Sequence, residues 1–470
     1  MKCKWIFKRK YDKDGHVERY KARLVARGYT QVEGIDYKET FCPVIKSKSI
    51  RTLLAFAVEQ DWQVHQIDIT AAYLNGELSE EVFMELPPIN THENKPNAEV
   101  CLLKKSLYGL HQSGREWNIC LDKFLKSIKL TRSRADPCIY FDKEKELIVG
   151  VYVDDILIMS SSDSTIEEFK DKIKAVFEVK DLGELHHMLS YRINRSEDGS
   201  ITLDQSVYAN ELLETTGMSN AKGASTPLDP GMRYVPATKD NMLSAEAALK
   251  YRQAVGGLLY LAGGTRPDLA FATTYMSQFN NCPSKEHWTG IQHILRYLVQ
   301  TKELKLTFQK TGKSLEMFCD SDWASDKVDR RSFSGYVVLL AGGAISWSSK
   351  KQRTTALSTV EAEYFAMCHA AKEALWYQNF LQEILCDKFL NFPQNICVDN
   401  QGAISLAKNH VTSERNKHIE LRQFFLREKV EEKLLTFSYI PSKLNFADML
   451  TKTVARTIMQ SHRLNVGLGP

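Results

Sequence analysis

Apolar residues recur along this chain at spacings that mark its elements. Residues 4–11 and 17–27 flank a polar stretch centred on Asp14-Gly15, the pattern of a β-hairpin. Over 47–60, Ile50, Leu53, Leu54, Ala57 and Val58 fall on one stripe of a helix. Residues 62–68 predict a strand that ends in Asp68, Asn75-Gly76 marks a turn, and the Pro- and Asn-rich 87–98 reads as a loop. A second helix is predicted over 114–130, with Trp117, Leu121, Phe124, Leu125 and Ile128 inward. Strands are predicted at 139–141 and within 147–159, and helices at 165–177 and 205–215.

The pattern then shifts. Gly, Pro, Ser and Ala dominate 217–241, which predicts a linker or a long surface loop. Residues 244–301 read as helical throughout, with Pro267 and Pro283 near helix starts. Strands return at 305–308, 315–319, 333–340 and 344–348, followed by a helix over 358–385. Short strands are predicted at 395–398 and 434–440, among helices that run to the end. No internal repeat is visible. The order predicts an α+β domain, a helical connector, and a strand-then-helix domain.

Composition narrows the class. Of 470 residues, 43% are hydrophobic and 26% charged, a balance that excludes disordered and collagen-like chains. The longest apolar runs fall short of the roughly 18 residues of a membrane span. The opening residues lack the apolar stretch of a secretory signal. Ten cysteines without a CxxC pair predict reduced core thiols, not disulfides or zinc ligands.

With 62 Lys+Arg against 58 Asp+Glu, the near-neutral total argues against a protein that merely coats nucleic acid. The distribution is uneven, however. Residues 1–30 hold ten basic side chains against three acidic ones. Residues 327–353 hold Lys327, Arg330, Arg331, Lys350, Lys351 and Arg353 against Asp329 alone. Two basic surfaces suit an anionic polymer touched at separate points, or two solvated hairpins.

Candidate chemistry lies in the carboxylates. LIVGVYVDDILIM is apolar except for Asp154 and Asp155, which predicts a tight hairpin presenting both acids at its tip. Adjacent carboxylates are costly unless a cation lies between them. Asp68 ends another strand, in QIDITAAYLNG, and three acids on neighbouring strand ends could hold two hard divalent cations. Such a pair promotes phosphoryl transfer. An ordinary solvated Asp-Asp turn is the alternative.

YVDD, QIDITAAYLNG, YKARLVARGYTQ, SLYGLHQSGREW and KDLGELHHML together resemble the reverse transcriptase of copia-type retrotransposon polyproteins, and the similarity covers nearly the whole chain. The resemblance implies that Asp68, Asp154 and Asp155 are palm metal ligands, joined by the backbone carbonyl of Ile69. It implies that Tyr73 stacks under the incoming sugar and excludes a 2′-hydroxyl, and that Gln112 lines the nucleotide pocket. Lys21, Arg23 and Arg27 share one strand face, and some of them would grip the triphosphate. Residues 182–191 would form the primer-gripping hairpin, with Ser190 where the family usually has Gly.

A second set of acids follows. MFCDSDWAS sets Asp320 after an apolar strand and STVEAEYFA sets Glu363 on a helix. ICVDNQGA sets Asp399 at a strand end before a helix, and NFADML sets Asp448 near a helix start. This order resembles ribonuclease H in its copia-type version. The resemblance implies that the four carboxylates hold two Mg²⁺ ions and that the RNA strand of an RNA–DNA hybrid is cut. Glu361 and Glu363 face nearly opposite ways on a helix, so both cannot serve one site. The family phrase puts its acid before the aromatic, here Tyr364, which selects Glu363. Asp322 reads as a loop or cap acid. His418 matches a family histidine and also suits a surface or packing role. The basic stretch 327–353 suits the phosphates of a hybrid.

The expectation is an RNA-directed DNA polymerase with ribonuclease H activity. The fold would be α+β, a right-hand polymerase with a helical connection followed by a ribonuclease H-like α/β domain. Fingers and palm would cover 1–216, truncated at the N-terminus relative to the family. Thumb and connection would cover 217–303, and the ribonuclease H-like domain 304–470. Each site would take two Mg²⁺ ions, with Mn²⁺ as a substitute. Partners would be an RNA template, a DNA primer, an RNA–DNA hybrid and dNTPs, without a membrane. The location would be intracellular, cytoplasmic and particle-associated as in the family, or nuclear. The rivals are a remnant that binds nucleic acid without catalysis, and a metal nuclease using only the C-terminal domain. All seven candidate acids are intact, which disfavours the remnant.

Overall fold

The computed structural model describes residues 1–11, 16–87, 100–326, 328–384, 387–408 and 420–470. Asp14-Gly15, the 88–98 stretch, Lys327 and His418 lie outside the described residues. The chain forms two compact units, Met1–Ile45 with Gln63–Glu184, and Lys46–Trp62 with Leu185–Pro470.

In the first unit, period-two alternation builds a six-stranded antiparallel sheet. Its order is Val179–Glu184, Gln63–Ile69, Asp155–Ser160, Leu147–Tyr152, Ile139–Asp142 and Thr131–Arg132. Ile67, Ile69, Val149, Val151, Ile156 and Ile158 belong to a core completed by Trp117, Leu121 and Leu125 of helix Ser113–Ser127. Ile166, Phe169 and Ile173 of helix Asp163–Lys174 complete the same core. Asp68, between Ile67 and Ile69, therefore faces away from it. Two hairpins accompany the sheet, Cys3–Tyr11 with Val17–Ala26 and Glu77–Glu85 with Val100–Lys105.

The second unit begins with helix Ser47–Gln60. The sequence predicts a single apolar stripe, yet Arg51, Thr52 and Glu59 are buried as well. Polar partners explain this. The Arg51 guanidinium donates to the carbonyls of Ile345 (2.8 Å), Gly263 (2.9 Å) and Gly264 (2.6 Å) and lies over the Trp347 ring. Lys48 pairs with Glu373 at 2.9 Å, and Glu59 accepts from Thr311 and Gly312.

Two five-stranded sheets follow. One runs His187–Met188, Tyr191–Arg195, Ile201–Asp204, Lys305–Phe308, Leu468–Gly469. In its first hairpin the left-handed residue is Leu189 (φ 59°), and Ser190 uses its hydroxyl to meet Tyr260 (2.7 Å) and Gln205 (2.9 Å). The other sheet runs Gly343–Lys351, Phe333–Leu340, Glu316–Ser321, Gln394–Val398, Leu435–Tyr439. Its first three strands are antiparallel and its last two lie parallel to Glu316–Ser321. Helix Thr359–Glu383 packs against it, giving an α/β layer.

Two segments depart from expectation. The 244–301 stretch is three helices, Ala245–Gly264, Ala270–Ser277 and Lys285–Thr301. Pro267 opens a short 3₁₀ turn, and Ser284 forms a capping box with His287, so each break has a local cause. The 217–241 stretch has no regular element but is pinned down. Leu228 and Tyr234 are buried, and His293 and His287 meet the carbonyls of Thr226 and Val235 at 3.0 Å. Nine described cysteines are free; Cys138, Cys319 and Cys368 are buried, whereas Cys282 is exposed. Among the described residues no helix is long and apolar enough to cross a membrane.

Candidate active sites

The 147–159 stretch breaks at Val153-Asp154 into two paired strands. Only Asp154 sits in the turn. Asp155 opens the second strand, directly opposite Asp68 in register. Like charges directly opposed on one sheet face are destabilising. Burial, then Asp154 and Asp68, push the Asp155 carboxyl up to about 6, against the Gln66 amide, which donates to Asp155 Oδ1 at 3.1 Å. Val153 carries a β-branched side chain at φ 57°, a strained position. The Trp117 indole holds that turn by donating to Val153 O at 2.7 Å. The Ile69 amide donates to Asp154 O at 2.9 Å, which ties the two strands at the acids.

Tyr73 lies half-buried in the 3₁₀ turn Ala72–Asn75, packed on the core. Its ring meets Tyr108 edge-on at 5.1 Å, and the Arg23 guanidinium lies 5.4 Å from the Tyr108 centroid. Burial and the nearby Asp154 carboxylate raise the Tyr73 hydroxyl above its ordinary range. Arg23, Tyr108, Tyr73 and Asp154 thus form one connected group. Lys21 lies two residues from Arg23 on the same strand, opposite Lys8. Gln112 is buried, with its amide shared between Gln31 (3.0 Å) and Asp36 O (2.9 Å). Both of its polar atoms therefore brace the loop around Gln31 and Asp36.

In the second unit, Asp320 lies on strand Glu316–Ser321 and Asp399 follows strand Gln394–Val398. Asp448 sits in a short 3₁₀ turn, Phe446–Leu450, where the sequence predicted a helix start. Asn445 caps that turn and donates to Cys319 O at 2.9 Å, which clamps Asp448 against the Asp320 strand. Carboxylate oxygens of Asp320, Asp399 and Asp448 lie within 4.8 Å of one another. Glu363 Oε1 accepts from Ser321 N at 3.3 Å, and Glu363 Oε2 is buried without a hydrogen-bond partner. Glu361 instead accepts from Leu357 N at 2.7 Å at the helix start. Asp322 accepts from the amides of Phe333 and Ser325, which shapes the loop.

Crowded burial sets the electrostatics. Burial, with Asp448 and Asp399 adding, pushes the Asp320 carboxyl up to about 7. Burial, Asp320 and Asp399 raise Glu363 well above the usual carboxylate range. Lys452 Nζ lies 3.0 Å from Asp448 Oδ1 and 3.8 Å from Asp320 Oδ2. Burial alone would lower its pKa, but these carboxylates outweigh it and raise it. Thr451 donates to Asp320 Oδ2, and Ser442 donates to Asp399 Oδ2 at 2.6 Å. An orphaned carboxylate oxygen beside three clustered acids suits a hard divalent cation with oxygen ligands.

Sequence reasoning missed Lys452 and Gln66. Lys452 had a signal, since it stands four residues after Asp448. Gln66 had one as well, because it shares a strand face with Asp68.

The family described as reverse transcriptase (RNA-dependent DNA polymerase) matches residues 1–230. The Pol polyprotein of transposon TNT 1-94 from Nicotiana tabacum is 40% identical over the whole of this chain, which covers 36% of that protein. The Pol polyprotein of transposon RE1 from Arabidopsis thaliana is 39% identical over 99% of this chain and 31% of that protein. The chain therefore spans about a third of the length of these curated relatives. A foamy viral protease–reverse transcriptase solved with double-stranded DNA is 12% identical, with a TM-score of 0.47 over 93% of this chain and 65% of that one. With near-40% identity to plant Pol polyproteins along its full length, the chain belongs to the copia-type LTR retrotransposon Pol family, of which it carries the reverse transcriptase and ribonuclease H homology region.

Proposed function

We propose that this chain extends DNA on an RNA or DNA template and removes RNA from the resulting hybrid. The observation that carries the reading is the Asp320–Asp399–Asp448 carboxylate cluster with Glu363 beside it in one unit; in the other, Asp155 stands next to Asp154 and opposite Asp68 in register. Both offer oxygen ligands alone, which favours Mg²⁺, with Mn²⁺ as a substitute. When bound, such ions stabilise the attacking and leaving oxygens of an in-line phosphoryl transfer.

The chain's own residues supply position. Trp117 and Ile69 fix the turn that carries Asp154, and Gln66 orients Asp155. Arg23 and Lys21 neutralise triphosphate charge, and Tyr73, braced by Tyr108, sits beneath the sugar and excludes a 2′-hydroxyl. In the second site, Asn445, Ser442 and Thr451 hold the acids in place while Lys452 shields them. On this reading 1–216 are fingers and palm, 217–303 thumb and connection, and 304–470 the ribonuclease H-like domain.

The test is primer extension on poly(rA)/oligo(dT) beside cleavage of an RNA–DNA hybrid, both with Mg²⁺. Asp154→Asn should abolish extension alone, and Asp399→Asn should abolish cleavage alone. Loss of both activities in either variant contradicts two independent sites. A folded wild-type chain without either activity would be a nucleic-acid-binding remnant.

A further inference from the structure

The helical stretch that precedes the last sheet holds a buried ion pair. The Arg266 guanidinium grips Asp268 with two donors, Nε to Oδ1 at 2.9 Å and Nη2 to Oδ2 at 2.7 Å. Both side chains are buried. Arg266 also donates to Thr301 O at 3.0 Å and to Thr301 Oγ1 at 2.7 Å. The turn Pro267–Leu269 is thereby joined to the end of helix Lys285–Thr301. Burial opposes the Asp268 charge, but Arg266, Tyr297 and Arg463 outweigh it and hold the carboxyl below its ordinary range. A buried pair of this kind adds little net stability, because desolvation offsets the attraction. What it favours is one arrangement of the elements that meet at it.

Those elements reach the C-terminal helix. The Tyr297 hydroxyl donates to Asp268 Oδ2 at 2.7 Å and accepts from Arg463 Nη1 at 2.9 Å. Arg463 lies on helix Arg456–Asn465, which follows the segment that carries Asp448 and Lys452. One relay thus runs from Arg266 through Asp268 and Tyr297 to Arg463.

The same elements press on the second acid cluster. The turn Pro267–Leu269 and helix Ala270–Ser277 pack against the turn Phe446–Leu450, which holds Asp448. Asp268, Phe271, Met449 and Lys452 line one narrow cleft there. Met449 directly follows Asp448, and Lys452 pairs with Asp448 at 3.0 Å. On another side the Asp448 turn packs on strands Glu316–Ser321 and Phe333–Leu340. Phe271 and Tyr275 meet Phe333 with ring centroids 5.2 and 6.0 Å apart, so the helices are fixed to that sheet as well. A 3₁₀ turn has poor hydrogen-bond geometry of its own, so what packs on it sets its orientation.

We propose that Asp268 is a positioning residue for the second acid cluster: through Arg266, Tyr297 and Arg463 it holds the preceding helices against the turn Phe446–Leu450 and keeps Asp448 facing Asp320 and Asp399. The inference rests on the metal-binding reading above. The cluster is then not the property of residues 304–470 alone, since a boundary at 303 cuts the relay between Tyr297 and Arg463.

The test uses the full chain with Asp154→Asn, so that the second cluster is read alone. Hydrogen exchange is followed in EDTA, and Mn²⁺ binding is titrated by calorimetry. Tyr297→Phe removes the hydroxyl that joins Asp268 to Arg463 and leaves the Arg266–Asp268 pair in place. The control, Tyr251→Phe, removes another buried hydroxyl from the same helices, one that donates to Met276 O at 2.7 Å outside the relay. Tyr297→Phe should raise exchange over 446–454 and weaken Mn²⁺ binding about tenfold, as loss of an outer support of metal ligands does. Tyr251→Phe should do neither. Asp268→Asn should weaken Mn²⁺ binding at least as far; where its melting curve shows an unfolded chain, Tyr297→Phe decides. Wild-type Mn²⁺ affinity in Tyr297→Phe overturns the proposal, and so does a Tyr251→Phe variant that weakens binding as far. If Mn²⁺ binding responds as expected but the wild type cuts no hybrid, the role of Asp268 stands and the hybrid-cleaving reading falls. If the wild-type cluster takes no Mn²⁺, the metal reading falls, and exchange over 446–454 alone decides the role of Asp268.

Discussion

Replacing Asp320 by Asn should stabilise the metal-free chain, and only above a certain pH. The Asp320 carboxyl titrates near 7 in the fold against an ordinary 3.8. Between those values the folded chain holds a proton that the unfolded chain has released, so stability is lost as pH rises toward 7. The gap of roughly 3, at about 1.4 kcal/mol per pH unit, amounts to roughly 4 kcal/mol of lost stability once the native carboxyl is fully ionised. Asparagine removes the charge and keeps an oxygen for the Thr451 hydroxyl. At pH 8 in EDTA, Asp320→Asn should therefore gain roughly 2–4 kcal/mol in denaturant or thermal unfolding. At pH 5 the folded carboxyl is still protonated while the unfolded one is ionised, so the gain should shrink to roughly 1.5 kcal/mol. Added Mg²⁺ should reverse the order by stabilising the wild type alone. An equal shift at both pH values, or a loss at pH 8, would refute the claim that crowded charge is held in this cluster.

Other perturbations separate the two sites. Trp117→Phe leaves Val153 O without its donor, which should cost about 1–3 kcal/mol and reduce primer extension while hybrid cleavage persists. Gln66→Leu removes the amide that favours ionised Asp155, so the midpoint of pH-dependent divalent-ion binding, near 6 in the wild type, should move upward in calorimetric titrations. Lys452→Met strips the cation from Asp448 and Asp320, and should lower metal-free stability by about 1–2 kcal/mol at pH 8, with the deficit recovered on adding Mg²⁺.

The elements were legible wherever one periodicity held. Ile67–Asp68–Ile69 reads as a strand with its acid turned from the core, and the sheet has it so. The hairpin within LIVGVYVDDILIM was legible from its two acids, but its turn falls at Val153-Asp154 and leaves Asp155 on the strand, because a β-branched residue at positive φ is not a turn signal. The burial of helix Ser47–Gln60 on nearly every side depends on Ile345, Gly263 and Glu373, residues too distant in sequence for any local pattern to bring together. Spacing alone could not join Asp320, Asp399 and Asp448 either, since strand pairing and the Asn445 clamp bring them together. Their selection came from the resemblance. The bracing role of the Gln112 amide depends on Gln31 and Asp36, and nothing at position 112 announces it.

The chain changes unit at residues 45/46, 62/63 and 184/185, so no single cut yields either unit intact. Helix Ser47–Gln60 leaves the ribosome early, yet Arg51 must wait for Gly263 and Ile345, and Lys48 for Glu373, before its polar groups are satisfied. Until then a segment with buried arginine and glutamate waits without its partners, a long-range closure that slows folding and invites misassembly. An expression fragment that starts at residue 304 would lack this helix altogether. It would open the Gly343–Lys351 edge to solvent, so recombination between related elements can exchange this region safely only when the early helix travels with it.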